Sequence, residues 1–150
     1  MNTTLPSKLD KDQILMLAGD ISQELYIVVK GKILIFVQKG SQIIPLTYVG
    51  PGEFIGELSF FDQSERSASA IALVDSDILK INSNELHQTL PLWMKTLGSK
   101  ITKKIRDKDD IIKKTGMRKK STETIGALEI SEQARIYKLV ESYKASLKTK

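Results

Sequence analysis

At 150 residues, with 41% hydrophobic and 27% charged side chains, the chain is long enough for one soluble domain with its own core. Cysteine is absent, which excludes disulfides, thiolate metal sites and cysteine nucleophiles, and no apolar run reaches membrane-spanning length. The net charge of +5 is uneven: residues 1–94 carry 7 basic and 11 acidic side chains, residues 95–120 carry 11 and 3, and residues 121–150 carry 5 and 4.

Met1 to Asp12 is polar, with Leu5 and Leu9 as packing points, and reads as a short frayed helix or turn. Gln13 to Leu17 is the first strand-like run, broken by the Ala18-Gly19-Asp20 turn. Glu24 to Val29 and Lys32 to Val37 are β-rich. A hairpin tip at Gln38 to Gln42 leads into a strand over Ile43 to Val49, where Pro45 predicts an edge or a bulge. Gly50-Pro51-Gly52 is a tight connection. After a polar loop, Ser67 to Leu73 and Asp77 to Ile81 are further strands. Several short strands joined by glycine-rich turns predict an antiparallel β-barrel or jelly roll.

The period then becomes helical. Asn82, with Glu85 three residues later, predicts a capped helix start. Pro91 opens a longer helix with Trp93, Met94, Leu97, Ile101, Ile105, Ile111 and Ile112 as its apolar residues, and Gly116 is its predicted stop. Met117 to Thr124 reads as a basic linker. Ser131 is a candidate cap for a last helix with a stripe of Ile136, Leu139, Val140, Tyr143 and Leu147. The expected class is therefore α+β, divided as a barrel with its long helix over 1–116 and a linker plus terminal helix over 117–150.

The polar groups of Gly52 to Ala72 converge on one chemistry. Gly56 permits close backbone approach, and Glu57 follows it at once. The turn over Glu57, Leu58 and Ser59 offers free N–H groups, which favour anions. Arg66 and Ser67 add a guanidinium and a hydroxyl, a set suited to phosphate, while a carboxylate suits a sugar hydroxyl. Gly56-Glu57-Leu58 and Arg66-Ser67-Ala68 resemble the phosphate-binding cassette of the cyclic-nucleotide-binding domains, close to the bacterial cyclic AMP receptor branch. The similarity runs from about Gln13 to the helix after Pro91.

That resemblance implies a binding protein rather than an enzyme. It implies Glu57 on the ribose 2′-OH, and Arg66 and Ser67 on the cyclic phosphate beside Gly56, Leu58 and Ala68. Cyclic AMP is the implied ligand, with cyclic GMP as the competing purine. The helix after Pro91 is implied to lie over the base and to form a homodimer, with Lys104 and Lys108 interrupting its seam. Leu128 to Tyr143 resembles the first helix of the helix-turn-helix domain of transcription-regulating relatives. The chain ends before such a domain is built, which argues against DNA binding.

Other constellations carry less. His87 is the only histidine and, without cysteine, offers no metal site. Asp75/Asp77 and Asp109/Asp110 read as solvated carboxylates, and no serine stands in a nucleophile elbow. The basic run from Lys95 to Lys120 reads first as a solvated helix face, then as a contact for an acidic protein, then for nucleic acid or an anionic membrane. It has no interleaved aromatics for base stacking. The expectation is a cytoplasmic cyclic-nucleotide sensor with an unknown downstream protein partner. The alternatives are a DNA-binding regulator and a ligand-free interaction domain.

Overall fold

The computed structural model describes residues 6–115 and 126–148. Eight strands come first: β1 (Ser7–Leu9), β2 (Ile14–Met16), β3 (Leu25–Lys30), β4 (Ile33–Lys39), β5 (Gln42–Val49), β6 (Phe54–Ile55), β7 (Ser69–Ala72) and β8 (Ser76–Ile81). The helix α1 (Glu57–Asp62) interrupts them. The helices α2 (Ser83–Thr89), α3 (Leu92–Thr115) and α4 (Ile130–Lys148) follow. The strands form two antiparallel four-stranded sheets, ordered β1-β8-β3-β6 and β2-β7-β4-β5. This is the expected antiparallel jelly roll followed by helices.

The N-terminal expectation is corrected. Ser7 to Leu9 is a strand paired with β8, and its one apolar residue, Leu9, is buried between the sheets. Leu5, Gly116 and the linker read over Met117 to Thr124 lie outside the described residues. Pro45 meets both of its predictions: β5 is an edge strand, and the register slips where Ile35 faces Thr47 but Phe36 faces Pro45. The Asn82 side chain accepts the Glu85 N–H at 3.4 Å and so caps α2. The last helix begins at Ile130, one residue before the predicted cap.

The core lies in two layers. Between the sheets, Val28, Ile33, Val49, Ile55, Ala70 and Ala72 pack together with Leu9 and Met16. A second cluster covers the other face of the β2-β7-β4-β5 sheet, where Ile14, Leu34, Phe36, Ile43 and Ile71 meet Leu128, Ile136 and Val140. Alternation along β4 puts Leu34 and Phe36 on that outer face and Ile33 and Ile35 on the inner one. A register shift in β2 turns Ile14 outward and Met16 inward. α4 is thus a cover for the sheet, clasped at one end by Arg135 on Asp12 and near the other by Lys144 on Gln38 at 3.0 Å.

α3 runs from the barrel across α1. Gly98 gives the contact its closeness, since a Cβ there would lie 2.2 Å from the Phe61 ring. Thr102, one turn further along the helix, is buried, and Arg106 pairs with Asp62, with Nη2 donating to Oδ1 at 3.0 Å. Trp93, Leu97, Ile101 and Ile105 recur every four residues and are exposed.

Candidate functional site

The sequence between β6 and β7 folds as a tight corner. Gly56 takes φ 90°, a left-handed conformation that permits the sharp entry into α1. A Cβ at this position would stand 2.6 Å from the Glu24 carbonyl oxygen, so only glycine fits. The first N–H groups of α1 have no acceptor within the helix. The short helix ends at Gln63, which is also left-handed.

Arg66 closes this corner from the other side. Its side chain is only 3% exposed, and its fork is heavily engaged. Nη1 donates to the Gly56 carbonyl at 3.1 Å and to Ser59 Oγ at 2.6 Å, and Nη2 donates to Ser22 Oγ at 3.1 Å and to the Glu24 carbonyl at 2.6 Å. Nε is buried and unpartnered among the described residues. Burial lowers the pKa of this guanidinium from its usual value, and Tyr26, Glu24, Asp20 and Glu57 oppose that effect. A buried cation with one orphaned donor is electrostatically suited to an incoming anion.

The main chain of Arg66 is anchored as well. Its carbonyl accepts the Gly19 N–H at 2.8 Å, and its own N–H donates to the Asp20 carbonyl at 3.0 Å. Ser67, half-buried, has no hydrogen-bond partner among the described residues.

Gly56, Glu57, Leu58, Ser59, Arg66, Ser67 and Ala68 all line one cavity of about 270 Å³. All six residues singled out in the sequence are therefore brought to the same wall. Its floor is apolar, supplied by Met16, Ile35, Val49 and Ile55, and Thr47 is a polar side chain from β5. Glu57 is exposed at the rim, and Ile105 of α3 reaches the cavity from above the barrel. The arrangement offers an anion subsite at Arg66, a carboxylate acceptor at Glu57 and an apolar slot for a flat group.

Sequence reasoning named Ser59 only for the backbone of its turn and missed its side chain, whose hydroxyl accepts from Arg66 and donates to the Gly56 carbonyl at 3.3 Å. Its place directly after Leu58 in the same turn was the available signal. Ser22 and Glu24 had no local signal, because they contact Arg66 from more than forty positions away. His87 joins α2 to the end of α1, with Nε2 against the Phe60 carbonyl and the Gln63 side chain, outside the cavity. Among the described residues, no group of three or more histidine, aspartate or glutamate side chains is placed to hold a metal. None of the described helices is long and apolar enough to cross a membrane.

Comparison with known proteins agrees with this fold. Residues 6–91 match the profile of the cyclic nucleotide-binding domain. The cyclic AMP receptor protein of Thermus thermophilus is 38% identical over 95 residues, covering 61% of this chain and 44% of that protein. The cyclic-AMP-bound form of an EAL enzyme superposes with a TM-score of 0.65 at 33% identity, over 70% of this chain and 29% of that one. A cyclic-GMP-bound form of the same enzyme superposes at 0.62 and 32% identity, over 70% and 29%. The catabolite activator protein of Thermus thermophilus gives 0.56 at 31% identity, over 74% of this chain and 55% of that one. The match spans less than half the length of the curated relative.

Proposed function

The chain belongs to the cyclic nucleotide-binding domain family, and from that membership we propose that it is a non-catalytic, cytoplasmic sensor of cyclic AMP. The observation that carries the reading is the buried Arg66 guanidinium, which belongs to a residue lining the cavity and keeps one N–H, on Nε, without a partner among the described residues. A cyclic phosphate supplies the missing acceptor and offsets the cost of burying the cation. The free Ser67 hydroxyl and the first N–H groups of α1 complete the anion subsite. Glu57 accepts from the ribose 2′-OH, and the purine lies in the apolar slot beneath Ile105.

Cyclic AMP is preferred because a bacterial relative that matches the chain is named for it. The cyclic-GMP-bound neighbour makes cyclic GMP the competing ligand. In this reading α3 carries the signal, since Ile105 touches the cavity and Arg106 touches the cassette helix. The exposed stripe on α3 supports a homodimer, and the signal passes onward to a protein partner. Isothermal titration with cyclic AMP and cyclic GMP tests the ligand. The expected result is one site per chain with cyclic AMP tighter, and no heat from either nucleotide refutes the reading.

A DNA-binding role is second, favoured by the basic segment of residues 95–120. Salt separates the two: duplex binding weakens steeply as salt rises, whereas burial of one cyclic phosphate does not.

A further inference from the structure

One sheet separates the nucleotide cavity from α4. Met16 of β2 and Ile35 of β4 line the cavity, as does Ala68 immediately before β7. Their neighbours on the same strands, Ile14, Leu34, Phe36 and Ile71, lie in the cluster that Ile136 and Val140 of α4 complete. The wall between ligand and helix is therefore a single layer of backbone, and the two faces cannot move independently. Close packing transmits a displacement on one face to the other.

A second connection is polar and starts at the phosphate-facing arginine. Arg66 holds the turn after β2 through the Gly19 N–H and the Asp20 carbonyl. Within that turn, Asp20 Oδ2 accepts the Leu17 N–H at 2.9 Å, and Ser69 Oγ accepts the Ala18 N–H at 2.9 Å. Leu17 is itself a member of the cluster under α4. The residue that supplies the guanidinium is thus tied through its own main chain to the turn that presents Leu17 to the helix.

Resting on the cyclic-nucleotide reading, we propose that α4 is a second output of the nucleotide site, a helix whose docking on the outer sheet face is tightened when the cavity is filled. The sign follows from what each event does to the same strands. An occupied cavity supports Met16, Ile35 and Ala68 from within, and docked α4 supports their neighbours from without. Each therefore reduces the freedom that the other must remove, which is positive coupling. The helix is suited to such a role. Its hold on the sheet combines two fully buried side chains, Ile136 and Val140, with the partly buried Tyr137, Leu139 and Tyr143 beside them and clasps at Asp12 and Gln38, so it can be graded rather than all-or-none. Couplings between sites are typically about 5- to 150-fold, and reciprocity requires that the same factor appear in both directions.

The test uses the full chain. Amide hydrogen exchange over residues 130–148 is followed with and without saturating cyclic AMP, and the nucleotide is expected to slow it by about fivefold or more. In the other direction, the double variant Ile136→Ala with Val140→Ala is expected to weaken cyclic AMP binding by about the same factor. Arg135→Ala cuts the clasp to Asp12 without opening the core, and is expected to shift exchange and affinity the same way by less. It keeps the test valid should the double variant not fold. If the parent binds cyclic AMP by calorimetry but exchange in α4 is unchanged or faster, and Arg135→Ala binds as the parent does, the coupling is refuted and the sensor reading stands. Absence of any nucleotide binding in the parent removes both.

Discussion

A Cβ on residue 56 would stand 2.2 Å from Nη1 of Arg66, so the glycine and the arginine ten positions later share one small space. The same nitrogen donates to the Gly56 carbonyl. The cassette is therefore closed on itself before any ligand arrives, with one orphaned guanidinium N–H left over.

Gly56→Ala is expected to damage both stability and binding. The left-handed conformation alone costs a non-glycine residue roughly 1–2 kcal/mol, and the clash with Arg66 and the Glu24 carbonyl adds an overpacking cost of about 1–3 kcal/mol. Thermal unfolding and calorimetry read the two effects. A variant that melts and binds like the parent would contradict the geometry of the corner.

Arg66→Ala removes the cation from the anion subsite and four hydrogen bonds from the cassette. Breaking a buried charged pair from one side costs about 3–5 kcal/mol, so affinity for cyclic AMP should fall by about two to nearly four orders of magnitude. Because the fork also ties α1 to Ser22 and Glu24, the melting temperature should drop as well. Arg66→Lys keeps the charge but cannot reproduce the fork, and should recover little of either. Near-parent affinity in Arg66→Ala places the phosphate elsewhere.

Glu57→Gln separates binding from folding. The side chain is exposed, so stability should change by no more than about 0.5 kcal/mol. Loss of the charged acceptor should weaken binding by about 1–2 kcal/mol. A 2′-deoxy cyclic nucleotide should bind the parent weakly and lose little more with the variant. Losses that add would show that Glu57 does not touch the ribose.

The α3 stripe predicts a dimer. Leu97 and Ile101 are about half exposed and stand with Trp93 and Ile105 in one row. Leu97→Asp is expected to shift sedimentation to the monomer and weaken self-association at least tenfold. A row spaced by four residues packs as crossing ridges rather than as a continuous coiled coil. A full-length parent that is monomeric at high concentration, with and without cyclic AMP, would refute the pairing.

Much of this was legible in the chain because the signals were local. The cassette residues fall within thirteen consecutive positions, Gly56 to Ala68, and the turns, the Asn82 cap and the Pro45 irregularity carry their own chemistry. β1 was not legible, since three residues with one apolar side chain acquire strand structure only by pairing with β8, nearly seventy positions away. The engagement of Arg66 by Ser22 and Glu24 was hidden for the same reason. The apolar stripe of α4 was readable, but not its docking place. The clue lay in β4, where Ile33-Leu34-Ile35-Phe36-Val37 has no polar alternation, the pattern of a strand covered on both faces.

The seat of Gly98 on Phe61 lies well off the middle of α3. At about 1.5 Å per residue, roughly 9 Å of helix lies behind that contact, back to Leu92, and roughly 26 Å lies ahead of it, to Thr115. A glycine bearing on a ring is a fulcrum, and the arms on its two sides differ nearly threefold. A tilt of about 10° at the fulcrum would move the short arm by only about 1.5 Å while sweeping the long arm through about 4–5 Å. The Asp62–Arg106 pair sits part-way along that long arm, so a shift of a fraction of an ångström passed on from the cassette there would be magnified before it reached the end of the lever.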